Sequence, residues 1–282
     1  MFAPGFFSSG SVHTALLLGT IVAIVSGLMG VFVLLRNQSF GGHALTDVAT
    51  TGGAGAAYLS VAPLVGFVTG AVIGAGAIES LSRDRSQRRD VATGIVLGAA
   101  TGLSGLFLYL TATTSSATGV TQQVLFGSLF SVSSSTVPVA AVTALIVTVT
   151  MALVARPLLL SSLSPDLARA RGLRTSWLGL LFLLLVAVAV GLCAISIGSL
   201  LATALLIGPA ATAMRRSRTI TGAIVMAMSV GLAATWVGIV LAYDSFTWRA
   251  TGQGLPVSFF VVATILAFYA LSHVPLSRSR RV

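Results

Sequence analysis

Of 282 residues, 56% are hydrophobic and 8% charged, against roughly a quarter charged in an ordinary soluble domain, which excludes a soluble globular protein. Six acids stand against 16 bases, a net charge of +10, and every base is Arg. With no Lys, the chain has neither a P-loop able to reach nucleotide phosphates nor a Schiff-base nucleophile.

Residues 1–10 carry no positive region and no evident small-residue cleavage site, so no removable signal peptide is predicted and targeting falls to the first span. A helix needs about 20 largely apolar residues to cross a bilayer. Nine stretches qualify: 12–35, 43–60, 61–80, 91–111, 137–155, 177–196, 198–214, 219–243 and 256–272. The expected architecture is an all-α, polytopic transmembrane helical bundle of about nine spans, within a range of eight to ten, as a single domain over 1–282. Cytoplasmic loops collect basic residues. With the N-terminus outside, Arg36, Arg83, Arg85, Arg88, Arg89, Arg156, Arg169, Arg171, Arg174, Arg215, Arg216, Arg218, Arg278, Arg280 and Arg281 all fall inside, and only Arg249 falls outside. This distribution predicts a cytoplasmic C-terminus and a lipid bilayer, not nucleic acid, as the chain's environment.

Along the chain, His13 lies at the outer end of the first span and reads as solvated. Residues 37–53 are the most polar stretch that must lie at or within the bilayer. There Gly41-Gly42 and Gly52-Gly53 read as brackets around a short helix, in which His43 and Asp47, four apart, share one face with Thr46 and Thr50 flanking. A carboxylate inside a span costs about 2.5–3.5 kcal/mol on insertion scales, so it faces a partner or a water-filled path. Imidazole plus carboxylate suits zinc or manganese; two ligands are few for a metal site, and the pair alone reads first as a hydrogen-bonded link between helices. Gly70 and Gly74, and Gly94, Gly98 and Gly102, have the spacing of tightly packed helices. Glu79 pairs in register with Arg83. The segment 112–136 is too polar for a tenth span and suits a re-entrant or interfacial helix. Residues 156–176 form a basic, amphipathic cytoplasmic segment. Pro209 predicts a kink, as a hinge or a static bend. Asp244, Cys193, Met29, Met214 and His273 read as interfacial or packing residues; one cysteine excludes an internal disulfide.

The run Arg36-Asn-Gln-Ser-Phe-Gly-Gly-His43-Ala-Leu-Thr-Asp47-Val-Ala resembles the signature of the permease subunits of zinc and manganese uptake ATP-binding-cassette transporters, commonly Arg, Ser, Gly-Asp-Ala-Leu-Ser-His-Ala. Leu125-Phe-Gly-Ser-Leu129, Ala204-Leu-Leu-Ile-Gly-Pro209-Ala-Ala-Thr-Ala213 and Pro165-Asp-Leu-Ala-Arg-Ala-Arg-Gly172-Leu resemble later motifs of that family. One departure is the order: the family's Asp then His appears here as His43 then Asp47, which keeps both on one face and exchanges their heights by about 6 Å.

The resemblance implies a permease domain that imports a divalent transition metal, zinc or manganese with iron as a further candidate, past His43 and Asp47, with Thr46 and Thr50 lining the path. It implies no bound cofactor and no chemistry of the chain's own, the metal being cargo. The implied partners are cytoplasmic ATPase subunits, an extracellular or periplasmic metal-binding protein, and a second permease copy. The ATPase would dock on Asp166, Ala168, Arg169, Ala170 and Gly172. An ion-coupled secondary transporter and a non-transporting scaffold subunit remain open as alternatives.

Overall fold

The computed structural model describes residues 6, 9–82, 86–114, 124, 126, 127, 129–246, 248 and 254–273. Among these, ten α-helices and no strand are present: α1 (Gly10–Leu35), α2 (Ser39–Tyr58), α3 (Pro63–Leu81), α4 (Ser86–Thr114), α5 (Thr136–Leu163), α6 (Pro165–Ala170), α7 (Thr175–Ile197), α8 (Ser199–Arg216), α9 (Ile220–Ser245) and α10 (Val257–His273). Six of them, α1, α3, α4, α5, α7 and α9, are long and apolar enough to cross a membrane, and α10 is a shorter apolar helix. The two remaining long helices, α2 and α8, are diluted by Gly, Thr and Ser, and α8 ends on Arg215 and Arg216.

Tight turns set the helix order. α1 closes with Asn37 at φ 54°, its N–H on the Leu34 carbonyl and the Gln38 N–H on the Val33 carbonyl. These two hydrogen bonds form the Schellman stop, and Asn tolerates its left-handed conformation. Helix α2 restarts at Ser39 and runs through both glycine pairs to Tyr58. The expected short helix bracketed by those pairs is thereby corrected. Gly52 and Gly53 do not end the helix; they let α3 cross it. A side chain at Gly52 would strike the Gly66 carbonyl and Gly70, and one at Gly53 the Phe67 ring.

α2 packs on α3 and α4, α1 on α8 and α9, and α9 on α10, while α7 touches members of both groups. Accordingly α1 and α7 are mostly buried, whereas α4 and α5 show Ile95, Leu106, Tyr109, Leu145, Ile146 and Leu153 outward, as lipid-facing helices do. In lipid, close backbone approach drives such packing. Gly70 and Gly74 meet that expectation against Gly52 and Val48 of α2. Gly94, Gly98 and Gly102 do not: no described atom lies within 4 Å of a side chain built there. Of 112–136, residues 115–123, 125 and 128 lie outside the described residues, and 112–114 belong to the end of α4.

Candidate functional site

His43 and Asp47 occupy the second and third turns of α2. Their Nε2 and Oδ2 atoms are 3.8 Å apart, with the side chains 48% and 29% exposed. The helix keeps both on one face, and both side chains remain partly exposed there. Two donors on one metal with bonds of about 2.1 Å stand roughly 3.4 Å apart in a tetrahedral site, close to the spacing seen. Among the described residues no third His, Cys, Asp or Glu joins them.

Thr46 and Thr50 lie on the same side of α2 but are buried, each hydroxyl donating to the carbonyl four residues back, Gly42 and Thr46 respectively, at 3.1 Å. Thr46 faces Thr203 of α8, whose hydroxyl donates to Thr46 Oγ1 at 3.2 Å. Thr203 Oγ1 also lies 3.1 Å from His43 Nδ1. Sequence reasoning missed Thr203, which sits one residue before the Ala204–Ala213 motif and 160 residues from His43.

The coupling candidates gather around α6. Ala168 is fully buried, while Asp166 and Arg169 form an exposed ion pair at 3.3 Å. Gly172 sits at φ 76°, where its N–H reaches the Arg169 carbonyl and that of Leu173 the Ala168 carbonyl, so this Gly ends the helix. Ala170 is exposed, and Leu163 and Leu167 stand out at 82% and 46%, an apolar patch among charges. Arg36 ties this end to the site. Its guanidinium reaches Ser162 Oγ at 2.9 Å, Ser161 Oγ at 3.3 Å and the Leu158 carbonyl at 3.4 Å, and lies over the Phe182 ring at 5.1 Å. The end of α1, three residues before α2, is thereby tied to the last turns of α5, just before α6.

Pro209 is buried within α8, and the helix is continuous through it. Directly beneath, the Leu206 carbonyl faces Gly30 of α1 so closely that a side chain at Gly30 would strike it. Cys193 is buried with its Sγ 2.9 Å from Ser26 Oγ, and Met29 is core. His13 and His273 are exposed, and His273 Nδ1 lies 3.0 Å from the Tyr269 carbonyl. The expected Glu79 partner, Arg83, lies outside the described residues.

A bundle of apolar helices carrying one ionisable pair on an otherwise uncharged inner helix has the build of a multi-pass membrane protein. The chain belongs to the ABC 3 transport family, whose model matches residues 9–272. It is similar to the manganese transport system membrane protein MntC of Listeria monocytogenes, at 29% identity over 98% of this chain and 95% of that one. It is also similar to the high-affinity zinc uptake system membrane protein ZnuB of Haemophilus influenzae, at 27% identity over 82% and 88%. Among solved structures, PsaBC from Streptococcus pneumoniae in complex with Fab matches with TM-score 0.81 and 24% identity over 95% of this chain and 92% of that one, which supports the fold.

Proposed function

We propose that this chain is the membrane-spanning subunit of an ATP-driven importer of a divalent transition metal, manganese or zinc in the first place and iron next. The observation that carries this reading is the His43 and Asp47 pair, a mixed nitrogen and oxygen donor set on one open face of an inner helix. Such a set is borderline in softness and accepts first-row divalent ions. The relatives named for manganese and zinc transport support the same class of cargo.

In this mechanism the chain supplies a path and no covalent chemistry. An external binding protein delivers the metal to the outer mouth. The ion sheds part of its hydration at His43 and Asp47, and two donors hold it weakly enough to let it go. The open side of the pair faces a second permease copy across the pathway. α2, α8 and α10 join the six longer apolar helices as spans, giving nine crossings with the N-terminus outside and the C-terminus inside. Polar α2 and α8 are tolerated because other helices cover most of their surface.

ATP is hydrolysed by a separate subunit seated on α6, where Leu163 and Leu167 offer an apolar contact and the Asp166 and Arg169 pair a polar rim. Closure of the ATPase pair reaches α2 through α5 and Arg36.

The test is uptake of radioactive manganese and zinc into vesicles holding the permease with its ATPase. Uptake that requires ATP and survives a protonophore is expected. Uptake that persists without ATP and collapses with the protonophore would instead establish the ion-coupled alternative.

A further inference from the structure

His43 touches two groups through its two ring nitrogens, and the hydroxyls of α2 and α8 decide which nitrogen carries the proton. The chain of donors can be followed from one end. Thr46 has one hydroxyl proton and gives it to the Gly42 carbonyl at 3.1 Å. Its oxygen is then free only to accept, and it accepts the proton of Thr203 at 3.2 Å. With that proton used, Thr203 Oγ1 meets His43 Nδ1 at 3.1 Å as an acceptor. Nδ1 therefore bears the hydrogen. In the neutral ring the Nε2 lone pair is then bare, and it is Nε2 that stands 3.8 Å from Asp47 Oδ2, too far to share a hydrogen with it and near the spacing of two ligands on one ion.

We propose that Thr203 is a positioning residue for the cargo metal. The relay of half-buried Thr203, buried Thr46 and the Gly42 carbonyl keeps the hydrogen of the neutral His43 ring on Nδ1 and presents Nε2 beside the Asp47 carboxylate as a preformed pair of ligands. The inference rests on the metal reading of His43 and Asp47 given above. It also explains why Thr46, on the same turn of α2 as the pair, is turned inward: it works through α8. An outer partner that fixes a ligating imidazole typically governs metal affinity by 10- to 100-fold.

The experiment uses the permease with its ATPase in lipid vesicles and follows manganese uptake in four forms: unaltered, Thr203→Val, Thr203→Ser and His43→Gln. Val keeps the shape of Thr and removes the hydroxyl, whereas Ser restores it. Thr203→Val is expected to raise the KM for manganese about 10-fold with little change in the maximal rate, and Thr203→Ser to stay within about twofold of the unaltered protein. Solid-state NMR of the unaltered protein, labelled with 15N-histidine and assigned by comparison with His43→Gln, supplies a readout independent of how any Thr203 variant folds. A His43 ring protonated at Nδ1 without metal, with Nε2 shifting on addition of zinc, supports the relay. Protonation at Nε2 overturns it, as does a Thr203→Val protein with unaltered KM while His43→Gln abolishes uptake. If His43→Gln transports normally, the metal reading itself falls and the relay with it.

Discussion

Replacing Gly52 by Ala probes the crossing that holds α2, and with it His43 and Asp47, in place. The added carbon would lie 2.7 Å from Gly70 Cα and 2.9 Å from Gly70 N, with the Gly66 carbonyl nearer still, against ordinary contact at 3.4–4 Å. Backbone cannot rotate out of the way, so α3 must withdraw by about 1 Å or more where it crosses α2, and contacts on both sides of that point are loosened. Overpacking of this kind costs about 1–3 kcal/mol. An Ala also gains up to about 1 kcal/mol over Gly in helix propensity, which partly masks the clash. Gly98→Ala provides the reference: it carries the same propensity gain at a site with open space around it. The difference in melting temperature between the two variants, measured on purified protein in one detergent, isolates the clash. Gly52→Ala is expected to melt several degrees below Gly98→Ala, at about 2–4 °C per kcal/mol for a chain of comparable size. Equal melting points, or Gly98→Ala as the weaker of the two, would refute the argument that α2 and α3 meet backbone to backbone.

Two further outcomes are expected. Arg36→Gln removes the guanidinium from Ser161, Ser162 and the Leu158 carbonyl; it should cost about 1–3 kcal/mol in stability and lower the metal moved per ATP hydrolysed in vesicles, whereas normal coupling would show that the link to α5 transmits nothing. Leu167→Asp alters an exposed side chain, so the permease should fold and melt normally yet lose most of its co-purifying ATPase; undiminished recovery of the ATPase would place its seat elsewhere.

Much of the bundle is legible in the sequence because lipid demands long apolar helices, and runs such as 12–35 and 219–243 fall within two residues of α1 and α9 at both ends. The polar helix α2 is harder to bound. Its glycine pairs read as breaks, yet the stop that matters is Asn37, one residue in the left-handed region before the helix restarts. Glycine spacing marks a smooth helix face without saying what covers it, which is why Gly70 and Gly94 share a pattern and differ in surroundings. At the site, His43 and Asp47 are readable because four residues make one helical turn. Thr203 is not, since its meeting with His43 depends on where α8 crosses α2, a tertiary contact that no local pattern encodes. The same holds for Arg36, whose partners on α5 are more than 120 residues away.

The central claim, that metal passes by His43 and Asp47, is tested most directly by ATP-dependent manganese and zinc uptake in vesicles carrying His43→Gln or Asp47→Asn beside the unaltered protein, each assembled with its ATPase. Both side chains are partly exposed, so both variants should fold, insert and melt as the unaltered protein does. Each is expected to lose at least about 10-fold in uptake, as removal of one of two donors would require. Uptake at the unaltered level in either well-folded variant would contradict the account.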